Sequence, residues 1–142
     1  QRWATWWRYR LNLGISQEMN CGHFGGRCLI PLTRVNPPFW RVSEQTRQII
    51  FSTQHLRRET VQSYVGKVEK MGLKWIHGYP SGISLMATWM LEQKIPPPAG
   101  LRIITTGSEN LTQLVKEKIR KAFGKEIAFG VTEDSNEESK HQ

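Results

Sequence analysis

From residue 57 onward, apolar residues recur in two alternating rhythms. Between Arg57 and Met71, the apolar residues Val61, Tyr64, Val65, Val68 and Met71 fall at i, i+3, i+4, i+7 and i+10. This spacing puts them on one face of a helix, with Thr53 upstream as a cap and Gly72 as its stop. The short apolar run Leu73 to Tyr79 then reads as a strand. It breaks at Gly78-Tyr79-Pro80-Ser81, and a second helix continues through Met90 with Ser81 in the N-cap position. After the connector IPPPAG the unit repeats in kind. A strand begins at Leu101, breaks at Gly107-Ser108, and passes into a helix carrying Leu111, Leu114, Val115, Ile119 and Ala122 on one face. Ser108 is placed to cap that helix and Gly124 to end it, with Lys116, Lys118, Arg120 and Lys121 toward the negative end of its dipole. A last strand is expected over Lys125 to Phe129.

The order α-β-α-β-α-β predicts an α/β fold, a parallel sheet built from βαβ units with right-handed crossovers and flanking helices. The N-terminal third reads differently. Arg2 to Leu13 has Trp3, Trp6 and Trp7 among Arg2, Arg8 and Arg10 at helical spacing and stops at Gly14. A core-facing aromatic stripe with snorkelling arginines is favoured there over a stacking surface for single-stranded nucleic acid or an interfacial membrane helix. The next stretch is rich in Gly and Pro and carries two strand-like runs, Cys28 to Leu32 and Gln48 to Ser52. They suggest irregular loops and a small antiparallel β-element, with Phe39 and Trp40 as an anchoring plug. Residues 1–132 are expected to form a single domain, and residues 133–142 a frayed acidic tail.

With 142 residues the chain is long enough for a real core. No apolar run approaches the roughly 20 residues that span a bilayer. Two cysteines allow at most one bridge and nothing resembles a signal peptide, so a cytoplasmic, reduced protein is expected. The net charge of +8 understates the asymmetry, because Glu133, Asp134, Glu137 and Glu138 all lie in the tail. Up to residue 132, nineteen Lys and Arg stand against eight Asp and Glu, a body of +11. Such a body attracts polyanions, nucleotides or acidic partners, although most such charges simply coat helix faces. Cys21, His23 and Cys28 have metal-ligand chemistry, but a structural zinc site wants four ligands and a closer cysteine pair.

Ligands of an open parallel sheet bind at the carboxyl ends of its strands. This points to Gly78-Tyr79-Pro80-Ser81, to Gly107-Ser108-Glu109-Asn110 and to Phe129-Gly130-Val131-Thr132-Glu133. The ordered set HFGGR, PPFWR, IIFSTQHL, IHGYPSGI, TTGSENL and FGVTE resembles the middle of the adenylate-forming ligase superfamily, within it the phenylacetate-coenzyme A ligase and CapK-like branch. The resemblance spans Trp3 to Glu133. It implies that Gly107, Ser108 and Glu109 flank an adenine, that Phe129 stacks on it beside Gly130, that Thr132 meets the α-phosphate, and that Glu133 holds Mg²⁺. It also implies an acyl-substrate side at His23, Gly25, Tyr79 and Ser81. The family's phosphate-binding loop, its ribose-binding Asp and its C-terminal lobe with the catalytic Lys have no counterpart in this sequence. The chain therefore reads as a central slice. It is expected to bind ATP, AMP or a small carboxylate weakly, without autonomous adenylation or catalytic residues of its own. A homo-oligomer, most simply a dimer, would cover surfaces the rest of such a ligase would cover. The alternative is an interaction or nucleic-acid-binding module using the basic surface.

Overall fold

The computed structural model describes residues 14–15, 19–25, 30–107, 111–124 and 127–131. They form one six-stranded sheet with three α-helices. The strands are β1 (Cys21–Gly25), β2 (Trp40–Ser43), β3 (Gln48–Ser52), β4 (Trp75–Gly78), β5 (Ile103–Thr106) and β6 (Ala128–Val131). The helices are α1 (Val61–Lys70), α2 (Pro80–Gln93) and α3 (Gln113–Phe123). The sheet order is β2-β3-β1-β4-β5-β6, parallel throughout except for the antiparallel pair β2 and β3. The α/β architecture read from the sequence is thus the observed one, and the small antiparallel element is the edge of the main sheet.

The crossovers from β3 to β4, β4 to β5 and β5 to β6 all step in the same direction across the sheet. Right-handed connections then put α1, α2 and α3 on a single face. That face carries the main core, where Phe24, Ile49, Phe51, Ile76 and Ile104 meet Val61, Tyr64 and Val68 of α1, Ile83, Met86 and Met90 of α2, and Ile119 and Phe123 of α3. The opposite face carries a smaller apolar cluster of Cys21, Trp75 and Ile103, covered by Ile15 and Met19.

Several local expectations need correction. The run Cys28 to Leu32 does not supply a strand in its described part, residues 30–32; the strand of this region is CGHFG, which reads as loop because of its two glycines. Gly22 is there because its neighbours leave no room for a side chain: a Cβ would lie 3.1–3.2 Å from Leu73, Ile76 and Phe51. Thr53 opens a 3-10 turn, Thr53–His55, and α1 starts only after Thr60. The N-cap of α2 is Tyr79, with Pro80 in the first turn, so Ser81 lies inside the helix. Thr112, not Ser108, caps α3, its hydroxyl accepting from the Val115 amide at 3.2 Å. Gly124 ends α3 with φ 107°, as its position suggested. On α3 the buried residues are Ile119, Ala122 and Phe123, whereas Leu114 is 78% exposed. The last strand lies at Ala128–Val131, so Phe129, Gly130 and Val131 are strand residues and any turn begins beyond them. The aromatic opening segment, Arg27, Cys28, Ser108, Glu109, Asn110, Thr132, Glu133 and the acidic tail lie outside the described residues.

Candidate functional site

Five parallel strands end along one edge. In register, Gly25 stands beside Ser52, Phe24 beside Gly78, Gly78 beside Thr106, and Thr106 beside Val131. The chain leaves β1 toward β2 and β3 and leaves β4 toward β5, so the connections diverge between β1 and β4. Such a topological switch point opens a crevice at the carboxyl edge. The N-termini of α2 and α3 follow directly on β4 and β5 and bring their positive dipole ends to the same edge.

Tight backbone contacts hold the crevice. Tyr79 N–H donates to Phe24 O at 3.2 Å, Gly107 N–H donates to Gly78 O at 3.3 Å, and the Thr53 hydroxyl donates to Gly25 O at 3.2 Å. A Cβ on Gly78 would lie 2.2 Å from Phe24 O. A Cβ on Gly25 would lie 2.8 Å from His23 Nε2, so glycine there leaves that nitrogen uncovered. Tyr79 and Ser81 are exposed on the rim.

On the face away from the helices, His23, His77, Thr105 and Gly130 share one register row across β1, β4, β5 and β6. The rings of His23 and His77 stack with centroids 5.5 Å apart and planes 23° from parallel. Thr105 Oγ1 lies 2.6 Å from His77 Nδ1 and accepts from Trp75 Nε1 at 2.8 Å. The indole can only donate, so the threonine proton remains available for a bond to His77 Nδ1. His23 is half-buried, and among the described residues its ring nitrogens have no hydrogen-bond partner. Desolvation by burial lowers its pKa below the ordinary histidine value, keeping the ring neutral.

The expected site residues thus fall into two groups along one edge. His23, Gly25, Tyr79 and Ser81 gather at the ends of β1 and β4, while Gly107, Phe129 and Gly130 belong to β5 and β6. Phe129 is half-buried on the helix-side face with Lys116 Nζ 5.9 Å from its ring centroid. The pairing of His77 with His23 and the roles of Thr105 and Trp75 were missed. Histidines 54 residues apart carry no local signal, although His77 stands one residue and His23 two residues before the closing glycine of its strand.

A second histidine cluster is structural. His55 is 1% exposed, with Nε2 2.9 Å from Pro31 O and Nδ1 2.6 Å from Ser52 Oγ. A carbonyl only accepts, so Nε2 carries the proton and Nδ1 takes that of Ser52. Tyr64 OH donates to Ser52 O, and burial raises the Tyr64 pKa well above the ordinary value. Both nitrogens of His55 are thus committed to holding the end of β3, leaving none to act as a base. Among the described residues, no group of three or more His, Cys, Asp or Glu could hold a metal ion, and no helix is long and apolar enough to cross a membrane.

Fold and edge define an α/β domain built on a mostly parallel six-stranded sheet, and its sequence is similar to a CapK protein. Over 110 residues, 78% of this chain, the sequence is 28% identical to Protein CapK of Staphylococcus aureus and covers 24% of it. Among solved structures, the crystal structure of VinN and that of VinN with L-aspartate superpose over 80% of this chain at a TM-score of 0.47. Their identities are 14% and 15%, and the match covers 26% of each of those chains. No family model matches. The chain spans about a quarter of the length of the proteins it matches.

Proposed function

We propose that this chain is the central part of an adenylate-forming-ligase-like domain, with an adenylate side at β5 and β6 and an acyl-substrate side at β1 and β4. The observation that carries this reading is the in-register carboxyl edge. It brings the GYPS turn, Gly107 and the Phe129-Gly130 strand side by side, in the order the motifs follow along the chain. The chemistry is compatible. An aromatic face with a cation near it suits a purine nucleotide, and helix N-termini suit phosphate. Magnesium in nucleotide sites is commonly held by one or two carboxylates plus phosphate oxygens, so Glu133 together with the nucleotide is a sufficient donor set. Adenylyl transfer depends on positioned cationic groups, and the activity proposed for these residues is binding alone.

The test is thermal stability with and without millimolar ATP or AMP plus Mg²⁺, for the native chain and for Glu133→Ala. Saturation at about 100 times the dissociation constant stabilises by roughly 2.7 kcal/mol. A shift present in the native chain and lost in the variant supports the reading, and no shift in either refutes nucleotide binding.

A second reading, association between copies, draws on one feature. Leu91 and Leu114 line an open groove of about 690 Å³ between α2 and α3, rimmed by Glu117, Lys118, Arg120 and Lys121. Contiguous exposed apolar surface marks places that another molecule covers. Light scattering after size exclusion decides it, and a monomer at micromolar concentration refutes it.

A further inference from the structure

We propose that the groove between α2 and α3 is the docking site of an acidic amphipathic helix on another protein. This goes beyond the adenylation reading and does not depend on it, and it gives the groove a different occupant from the second copy considered above.

The groove combines apolar surface with unpaired charge. On α3, Leu114, Lys118 and Lys121 fall at i, i+4 and i+7, one stripe about 10 Å long at about 1.5 Å per residue. Helix α3 turns Ile119, Ala122 and Phe123 to the core, so the apolar stripe expected from Leu111 to Ala122 is only partly buried and Leu114 faces out. Leu91 of α2 lines the same groove and is exposed as well. Lys118, Arg120 and Lys121 rim it, and among the described residues none of these three side chains has an ion-pair or hydrogen-bond partner. The acid of the groove, Glu117, accepts from the Gln113 side-chain amide at 3.5 Å.

These charges select the occupant. The acids among the described residues are Glu44, Glu59, Glu69, Glu92 and Glu117. Glu92 pairs with Arg58, Glu69 accepts from the Ala99 amide, and Glu117 belongs to the groove itself. That leaves Glu44 after β2 and Glu59 before α1, so the described surface of a second copy offers no acidic patch to meet three cations. Residues 132–142 hold four acids but no apolar side chain, so they match the cations and not the leucines. The occupant has to bring both. An amphipathic helix does so, with apolar residues along one face and acids on its flanks, the recurring way in which a groove with an apolar floor is filled.

The experiment follows the 142-residue chain by fluorescence anisotropy against a labelled peptide of leucine, glutamate and alanine. Its leucines stand at i, i+4, i+7 and i+11, with glutamates on both sides of that stripe. A scrambled peptide of the same composition, a peptide with lysine in place of glutamate, and vesicles of anionic phospholipid are measured alongside. The expected result is that the striped acidic peptide binds at least about tenfold tighter than either control peptide, and that its binding weakens as salt rises. Leu114→Ser should weaken it about tenfold, the worth of burying most of a leucine side chain. Lys118→Glu combined with Lys121→Glu should reverse the preference, so that the lysine peptide binds better than the acidic one; both positions are exposed, and a misfolded chain would bind neither peptide. Equal binding of striped and scrambled peptides, a preference unchanged by charge reversal, or binding to the vesicles in place of the peptide overturns the proposal. So does tighter peptide binding once Glu133, Asp134, Glu137 and Glu138 are neutralised, which would show the chain's own tail in the groove. Peptide binding that falls as light scattering shows the chain self-associating would put a second copy there, overturning the proposal and supporting the second reading instead.

Discussion

Replacing Gly78 by alanine adds one methyl group at the most crowded point of the sheet. The new Cβ would lie 2.2 Å from Phe24 O, 2.8 Å from Phe24 Cβ and 2.9 Å from the Phe24 carbonyl carbon. These are atoms of the neighbouring central strand, so relief requires β1 and β4 to separate. Overpacking a rigid core typically costs 1–3 kcal/mol. Separation would also strain the Tyr79 N–H bond to Phe24 O and the Gly107 N–H bond to Gly78 O, each worth about 1 kcal/mol. The lower entropy of an unfolded chain with alanine returns about 0.4–1 kcal/mol. The expected loss is about 3 kcal/mol. At an unfolding entropy of about 2.1 cal/mol/K per residue, a chain of 142 residues loses about 10 °C in Tm. Gly66→Ala is the matched control: it lies within α1, and its added Cβ meets nothing within 4 Å. There the removal of a helical glycine should stabilise by about 0.5–1 kcal/mol. Urea melts followed by tryptophan fluorescence measure both. A Gly78→Ala protein as stable as the native chain would refute the close approach of β1 and β4 on which the crevice depends.

Three further outcomes are expected. Thr112→Ala removes the α3 cap and should cost about 1 kcal/mol in the same melts, whereas Ser81→Ala should change stability little, because Ser81 is exposed and does not cap α2. Stability should rise with pH between the lowered folded pKa of His23 and its unfolded value of 6.5. The folded state binds the proton less readily than the unfolded one, so this contribution is complete above 6.5 and lost as pH falls through the folded pKa. Melts of His23→Phe across that range should show a weaker pH dependence, and an unchanged profile would show that His23 is not the group responsible. Leu114→Ser should leave stability within about 0.5 kcal/mol, since the side chain is 78% exposed, yet weaken any association seen by light scattering.

Much of the architecture was legible along the chain. Helical spacing marked Val61, Tyr64, Val65 and Val68 as one buried face, and all four are buried. The alternation of helix and strand dictated a parallel sheet, because a crossover helix returns the chain in the same direction. Ordered motifs pointed to the carboxyl edge, and the relationship to CapK is borne out over 78% of the chain. Local signals failed where packing between distant segments decides. CGHFG reads as loop, yet it is a central strand because Gly22 and Gly78 let neighbouring elements approach closely. Leu114 fits a helical stripe but faces outward, because α3 turns Ile119, Ala122 and Phe123 to the sheet. Strand order is likewise invisible locally, since the sequence states which strands are consecutive but not that β1 sits between β3 and β4. That insertion places His23 beside His77, and the pairing of β4 with β5 places Thr105 beyond it. Periodicity is a property of a single segment and can be read from one. A row of side chains across parallel strands depends on which segments become neighbours, and only the packed sheet determines that.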